Sequence, residues 1–180
     1  MKQSSILLLL CIAVITTASE CKKPKQPAPD NPYGLPNATQ TGANIFACRI
    51  NGQNWIAKNS RSNISGYTSN DTLVVSGANP ETTSYMEIFF IRIYQLVDRQ
   101  HKYRLSDTLK LYSEFVTNKN CFLNSGGLGV GKGKSFDGEL NVTKIDRINK
   151  ILSGTFWFNI KTDYCDTLKI TDGRFDIKYN

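Results

Sequence analysis

A chain of 180 residues, 40 % hydrophobic and with a formal net charge of +7, is long enough to bury a core without a metal or disulfide staple. Its basic residues are spread along the chain rather than gathered in a patch, which argues against a nucleic-acid partner. Past the N-terminus no apolar run approaches the roughly 18 residues of a membrane-spanning helix.

Residues 1–20 have the layout of an export signal. Lys2 supplies the positive start, and residues 6–15 (ILLLLCIAVI) form an apolar stretch. As a helix it would rise about 15 Å, half the thickness of a bilayer's hydrocarbon layer. Thr17-Ala18-Ser19-Glu20-Cys21 then resembles a bacterial lipobox, whose cysteine is acylated and becomes the new N-terminus. Glu20 departs from that pattern, which usually has Gly, Ala or Ser there. The competing reading is ordinary cleavage near Ala18, leaving Cys21 as a stray thiol. The expected partner is therefore a lipid bilayer, held through acylation of Cys21, since several acyl chains anchor stably where one does not.

Residues 21–42 read as a tether. Pro24, Pro27, Pro29, Pro32 and Pro36 sit among Lys, Gln, Asn and Asp without a hydrophobic period, a composition that favours an extended, semi-rigid spacer. Lys22, Lys23 and Lys25 would lie against anionic headgroups.

From residue 43 to 180, two-residue alternation predicts a single all-β domain. Residues 45–50 and 53–57 flank Asn51-Gly52, the strongest short hairpin signal, because both turn residues need positive φ. Residues 63–67 and 71–77 form a second pair around Ser69-Asn70. Residues 84–96 (SYMEIFFIRIYQL) predict the longest strand, apolar on both faces at 88–91 and so central in a sheet. Residues 102–105 and 108–112 predict shorter strands. Residues 139–145 and 150–160 flank a turn at 146–149, and 165–170 and 174–179 predict a closing hairpin around Asp172-Gly173. The expected fold is an antiparallel β-sandwich of about ten strands, with a closed up-and-down barrel of lipocalin type as the alternative. Phe46, Trp55, Phe89, Phe90, Phe156, Phe158 and Phe175 are the expected core. Trp157 and Tyr94 alternate with core neighbours and should face outward, where an exposed aromatic patch would suit stacked sugars or apolar ligands; filling of core or interface is the plainer reading.

No catalytic or metal-binding constellation stands out, and no cofactor is expected. Cys48 alternates with Phe46 and Ile50 as a small buried residue would. Of the three bridges that Cys48, Cys121 and Cys165 allow in an oxidising compartment, Cys121–Cys165 fits best, since both lie beside polar segments. Residues 126–134 (GGLGVGKGK) mimic a phosphate loop, but Gly133 stands where Ser or Thr belongs and no helix follows; a flexible loop or bulged edge strand is the better reading. His101, the one histidine, falls in a polar stretch that reads as an exposed loop. Asp-Thr-Leu occurs at 71–73, 107–109 and 166–168, and resembles the O-glycosylation acceptor of exported Bacteroidota proteins, which would make Thr72, Thr108 and Thr167 modification sites. The plainer reading is that each Asp makes a turn and each Thr-Leu begins a strand.

Residues 146–158 (DRINKILSGTFWF) and 170–179 (ITDGRFDIKY) resemble the C-terminal signature of a family of uncharacterised lipoproteins of the Bacteroidota. Residues 35–44 (LPNATQTGAN), Phe46, Cys48, Asn51-Gly52 and Trp55 are similar to its opening, while 67–133 match loosely. The resemblance implies an exported lipoprotein with a domain of unknown function and brings no catalytic residue with it. In that phylum acidic residues after the lipidated cysteine accompany delivery to the cell surface; Lys22 and Lys23 stand there instead. The expected location is the cell envelope, at the outer membrane and facing the periplasm, with the cell surface as the alternative. The expected role is a non-enzymatic binding module for a ligand, glycan or protein partner. The alternatives are a structural envelope component and a hydrolase whose residues converge only in the fold.

Overall fold

The computed structural model describes residues 31, 33–58, 63–82, 85–95, 99–105, 111–117, 131–161 and 166–180. Among them are ten strands and no helix: β1 (Ile45–Ile50), β2 (Gln53–Ile56), β3 (Ile64–Ser69), β4 (Thr72–Thr82), β5 (Tyr85–Ile93), β6 (His101–Arg104), β7 (Leu111–Thr117), β8 (Gly131–Asp146), β9 (Ile151–Lys161) and β10 (Leu168–Lys178). All are antiparallel and belong to one sheet, in the order β2-β1-β10-β9-β8-β7-β5-β4-β3, with β6 added to β8. The all-β antiparallel fold expected from the turn spacing is what forms, as a strongly curled half-barrel.

Local chemistry sets the turns. Asn51 and Gly52 both have positive φ (48° and 82°) and join β1 to β2 as the hairpin predicted for Asn-Gly. Asn70 and Asp71 (φ 45° and 58°) do the same between β3 and β4. Between β8 and β9, the Asn149 amide donates to Asp146 Oδ1 at 2.9 Å.

Three expected elements need correction. Residues 168–178 are not a hairpin: β10 is a single strand that pairs with β9 along its length, with a bulge at Thr171-Asp172 against β9 and at Asp172-Gly173 against β1. Asp172 takes a positive φ of 53° there, the same backbone need that a turn would have, so the dipeptide alone cannot separate bulge from hairpin. The longest strand is β8, at 16 residues, not the strand around 84–96. Its first residues, 131–134, pair with β7 although they lack apolar alternation. Finally, His101 is not in an exposed loop. It opens β6 opposite Val142, is half-buried, and meets Tyr103 edge-on at 4.6 Å between ring centres.

The inner face is built from rings. Phe46 is fully buried and touches Phe156 (5.4 Å between centroids), Phe89 (5.8 Å), Trp55 (6.0 Å) and Phe175 (6.5 Å). Phe89 and Phe156 stand 5.4 Å apart, and Phe158 extends the cluster. Phe90 differs from the expected core set. Strand alternation places it opposite in sense to Phe89, on the outer face, where it is half-buried. Glycines give the rings their seats: a Cβ on Gly77 would stand 2.6 Å from the Phe46 ring, one on Gly154 2.6 Å from Phe175, and one on Gly173 2.4 Å from Phe156.

The curl brings the ends of the sheet together. Lys58 N, just past β2, donates to Ala78 O of β4 at 3.1 Å, and Asn180 N, just past β10, donates to Gly66 O of β3 at 3.2 Å. All of this lies in one compact unit, Tyr33–Asn180.

The segment that leads into β1 is held by a carboxylate clamp. Asp176 on β10 is 1 % exposed. Its carboxylate accepts bonds from Thr39 Oγ1 (2.6 Å), Thr41 N (3.0 Å), Gly42 N (2.9 Å), Ala43 N (3.0 Å) and Ser153 Oγ (2.7 Å). Burial pushes its pKa up, but the bonds from Thr39, Ala43, Ser153 and Gly42 outweigh that and hold it down at about 2, from an ordinary 3.8.

Two predictions follow from core and clamp. Phe46→Ala should lower unfolding free energy by about 3–5 kcal/mol, whereas Phe90→Ala should cost markedly less; urea unfolding of both variants compares them. Because the folded pKa of Asp176 lies below the unfolded one, its contribution is complete above about pH 4 and fades as pH falls through about 2. Asp176→Asn should therefore destabilise by about 2 kcal/mol near pH 6, and the gap from wild type should shrink towards pH 2.

Candidate functional site

Among the described residues are two open hollows. The larger, about 430 Å³, sits at the seam where β3 meets the end of β10, with Asn44, Ile64, Ser65, Lys150 and Lys178 in its walls. Its one aromatic residue, Tyr179, is 8 % exposed, so the hollow offers little ring face. The smaller, about 280 Å³, is lined by Arg104, Asp137, Gly138, Glu139 and Trp157 and has a different character.

Pairing across three strands assembles this groove. Arg104 of β6 pairs with Glu139 of β8, and Glu139 pairs with Trp157 of β9, so the three side chains stand in one row within contact reach. Trp157 lies between the inward Phe156 and Phe158, which sends its indole outward; it is 41 % exposed. Tyr94, the other ring expected outside, is 37 % exposed.

A bulge in β8 shapes the floor. The register against β9 shifts between Ser135 and Asp137, which leaves Phe136 without a partner residue and 59 % exposed. Gly138 follows at φ +151°, and a Cβ there would stand 2.4 Å from Phe158 Cδ1 and 2.5 Å from Trp157 O. Leu105 N donates to Gly138 O at 3.1 Å, drawing the end of β6 against the bulge. Bulges recur where a strand must re-aim side chains beside a functional site.

The polar groups of the groove hold one another in place. Lys102 Nζ lies 2.9 Å from Glu139 Oε1, and Arg104 Nε lies 3.4 Å from Glu139 Oε2. The Lys102 hydrogen bond leads in lowering the Glu139 pKa; desolvation opposes it, and the Lys102 charge and Arg104 add to the lowering. Asn159 Nδ2 donates to Asp137 Oδ2 at 3.2 Å. Asp137 and Glu139 together suggest the carboxylate pair of a glycosidase, but that chemistry needs one acid kept protonated. Glu139 is shifted the opposite way.

The other chemistry-bearing residues are dispersed. Cys48 is a free thiol, fully buried as expected; burial first, then the Glu87 charge, pushes its pKa far up, which makes it a poor nucleophile. Nearby, Trp55 Nε1 donates to the buried Glu87 Oε2 at 2.8 Å. Thr72 is half-buried at the start of β4, and Thr167 is exposed just before β10. In both places the Asp-Thr-Leu leucine is buried, Leu73 at 0 % and Leu168 at 9 %, in keeping with turn-then-strand. Cys21, Thr108, Cys121 and Cys165 lie outside the described residues. Among the described residues no three His, Cys, Asp or Glu side chains gather as a metal site, and no helix is long and apolar enough to cross a membrane.

Sequence reasoning identified Trp157 as outward but missed Arg104, Asp137 and Glu139. Their meeting depends on β6 pairing with the middle of β8, which no local pattern announces.

Gly138→Ala should cost about 1–3 kcal/mol, because alanine disfavours this backbone region and its methyl has no room. Chemical unfolding would measure the loss, and a change in Trp157 emission relative to wild type would report the groove's distortion.

A family model described as a domain of unknown function, DUF6252, matches residues 43–176. No curated protein and no solved structure matches the chain.

Proposed function

The chain belongs to the DUF6252 family, and from that premise we propose that it is an exported lipoprotein, acylated at Cys21, that presents a non-enzymatic binding module at the cell envelope. The carrying observation is the packing of the inner face. Among the described residues, rings 5.4–6.0 Å apart pack the inner face around Phe46 and Phe89, which favours a site on the outer surface. The groove beside Trp157 is the outer feature best equipped for it, with one exposed ring and fixed polar groups.

The anchoring half of the proposal draws on the N-terminus. Lys2 and the apolar residues 6–15 suit an export signal, Thr17–Cys21 suits a lipobox apart from Glu20, and the proline-rich stretch after it suits a spacer. The likeness of residues 146–158 and 170–179 to uncharacterised Bacteroidota lipoproteins supports the same reading. Lys22 and Lys23 favour an outer-membrane protein facing the periplasm over one on the cell surface.

Growth with a labelled fatty acid tests the anchor. The wild-type chain should take up label and sediment with membranes, while Cys21→Ala should do neither. A labelled Cys21→Ala chain would overturn the proposal.

A further inference from the structure

We propose that the groove lined by Arg104, Asp137, Gly138, Glu139 and Trp157 is a subsite for one neutral pyranose residue of a glycan. The inference rests on the binding-module reading above and names the chemistry of what is bound.

The groove first pairs an exposed ring with planar polar groups. A pyranose presents C–H bonds on its faces and hydroxyls around its edge. An indole takes the face through apolar contact, in the way aromatic side chains present an apolar body at binding surfaces. Carboxylate, amide and guanidinium groups beside it take the edge. Trp157 is 41 % exposed, and Arg104, Asp137 and Glu139 share its groove.

Charge points the same way. Lys102 and Arg104 carry two positive charges; Asp137 and Glu139 carry two negative ones. Both oxygens of Glu139 already face a cation, and these contacts hold it ionised. A charged ligand would break that balance, whereas a polyhydroxyl ligand can accept from Arg104 and donate to Asp137 without disturbing it. Arg104 bonds Glu139 through Nε, and its side chain is 65 % exposed, which leaves its other N–H donors for a ligand.

Preorganisation and size agree with it. Glu139 is held by two partners and Asp137 by Asn159, so little side-chain freedom remains to be lost on binding. At about 280 Å³ the groove lies just below the roughly 300–1,000 Å³ of sites for drug-sized molecules. It accommodates a single ring, and being open it lets a longer chain continue over the sheet.

The test titrates the full-length chain in detergent micelles with cellohexaose, mannohexaose, xylohexaose and chitohexaose, read by calorimetry and tryptophan fluorescence. At least one should bind saturably, with affinity unchanged between low and high salt. Trp157→Ala should weaken it tenfold or more at an unaltered unfolding midpoint, and Arg104→Ala should weaken it several-fold. Absence of saturable binding across the four, or binding that Trp157→Ala leaves intact, would overturn the subsite; so would preference for heparin with steep salt dependence. Fatty-acid labelling of Cys21 does not depend on the groove, so a failed titration and a failed anchor are told apart.

Discussion

Three rings seated on three glycines govern this domain. Phe46, Phe175 and Phe156 lie where side chains on Gly77, Gly154 and Gly173 would otherwise be. Phe46 belongs to β1 and Gly77 to β4, near opposite ends of the strand order, so their contact spans the inside of the curl. A larger residue at position 77 would push the two walls apart. The tight curl of the sheet and the meeting of its ends at Lys58–Ala78 and Asn180–Gly66 follow from how closely backbone and ring approach there. Close packing of this kind leaves little tolerance for change in volume.

A filled interior also sorts the surface. Every inward position of β9 carries packing, so its outward positions are free to do something else, and Trp157 occupies one of them between two core phenylalanines. The β8 bulge then gives this indole neighbours that a regular strand would not. It leaves Phe136 outside the ladder, requires glycine at 138, and sets Asp137 and Glu139 beside the ring. Core packing and the exposed groove are thus divided between the two faces of the same strands, at single-residue alternation.

Much of this was legible in the sequence and some was not, for physical reasons. The Asn51-Gly52 hairpin was readable because its backbone demand is local. Asp172-Gly173 makes a similar demand, yet β9 is long enough to pair on both sides of it, and the neighbour converts a turn signal into a bulge. The start of β8 was hidden because strand periodicity is a record of burial, and GKGK has few side chains to bury; Gly133 stands opposite Phe115, which supplies the bulk instead. Phe90 was misassigned because a run of four apolar residues conceals which phase points inward. The groove was invisible as a unit, since Arg104 and Trp157 are joined only through Glu139. Asp176 looked like one more carboxylate in an alternating strand, because nothing near it in sequence marks a partner 133 to 137 residues away.

The clamp at Asp176 has a mechanical side. Tension along the chain first meets Tyr33 and Pro36, held by Asn54, Arg49 and Arg174, and then the Asp176 carboxylate just ahead of β1. β10, which carries Asp176, is bonded by β1 on one edge and β9 on the other. At the clamp, force therefore passes to the middle of the sheet, where hydrogen bonds on both edges of β10 share it in shear. Acid that protonates Asp176 would weaken the second of these restraints and leave the contacts of Tyr33 to carry the load.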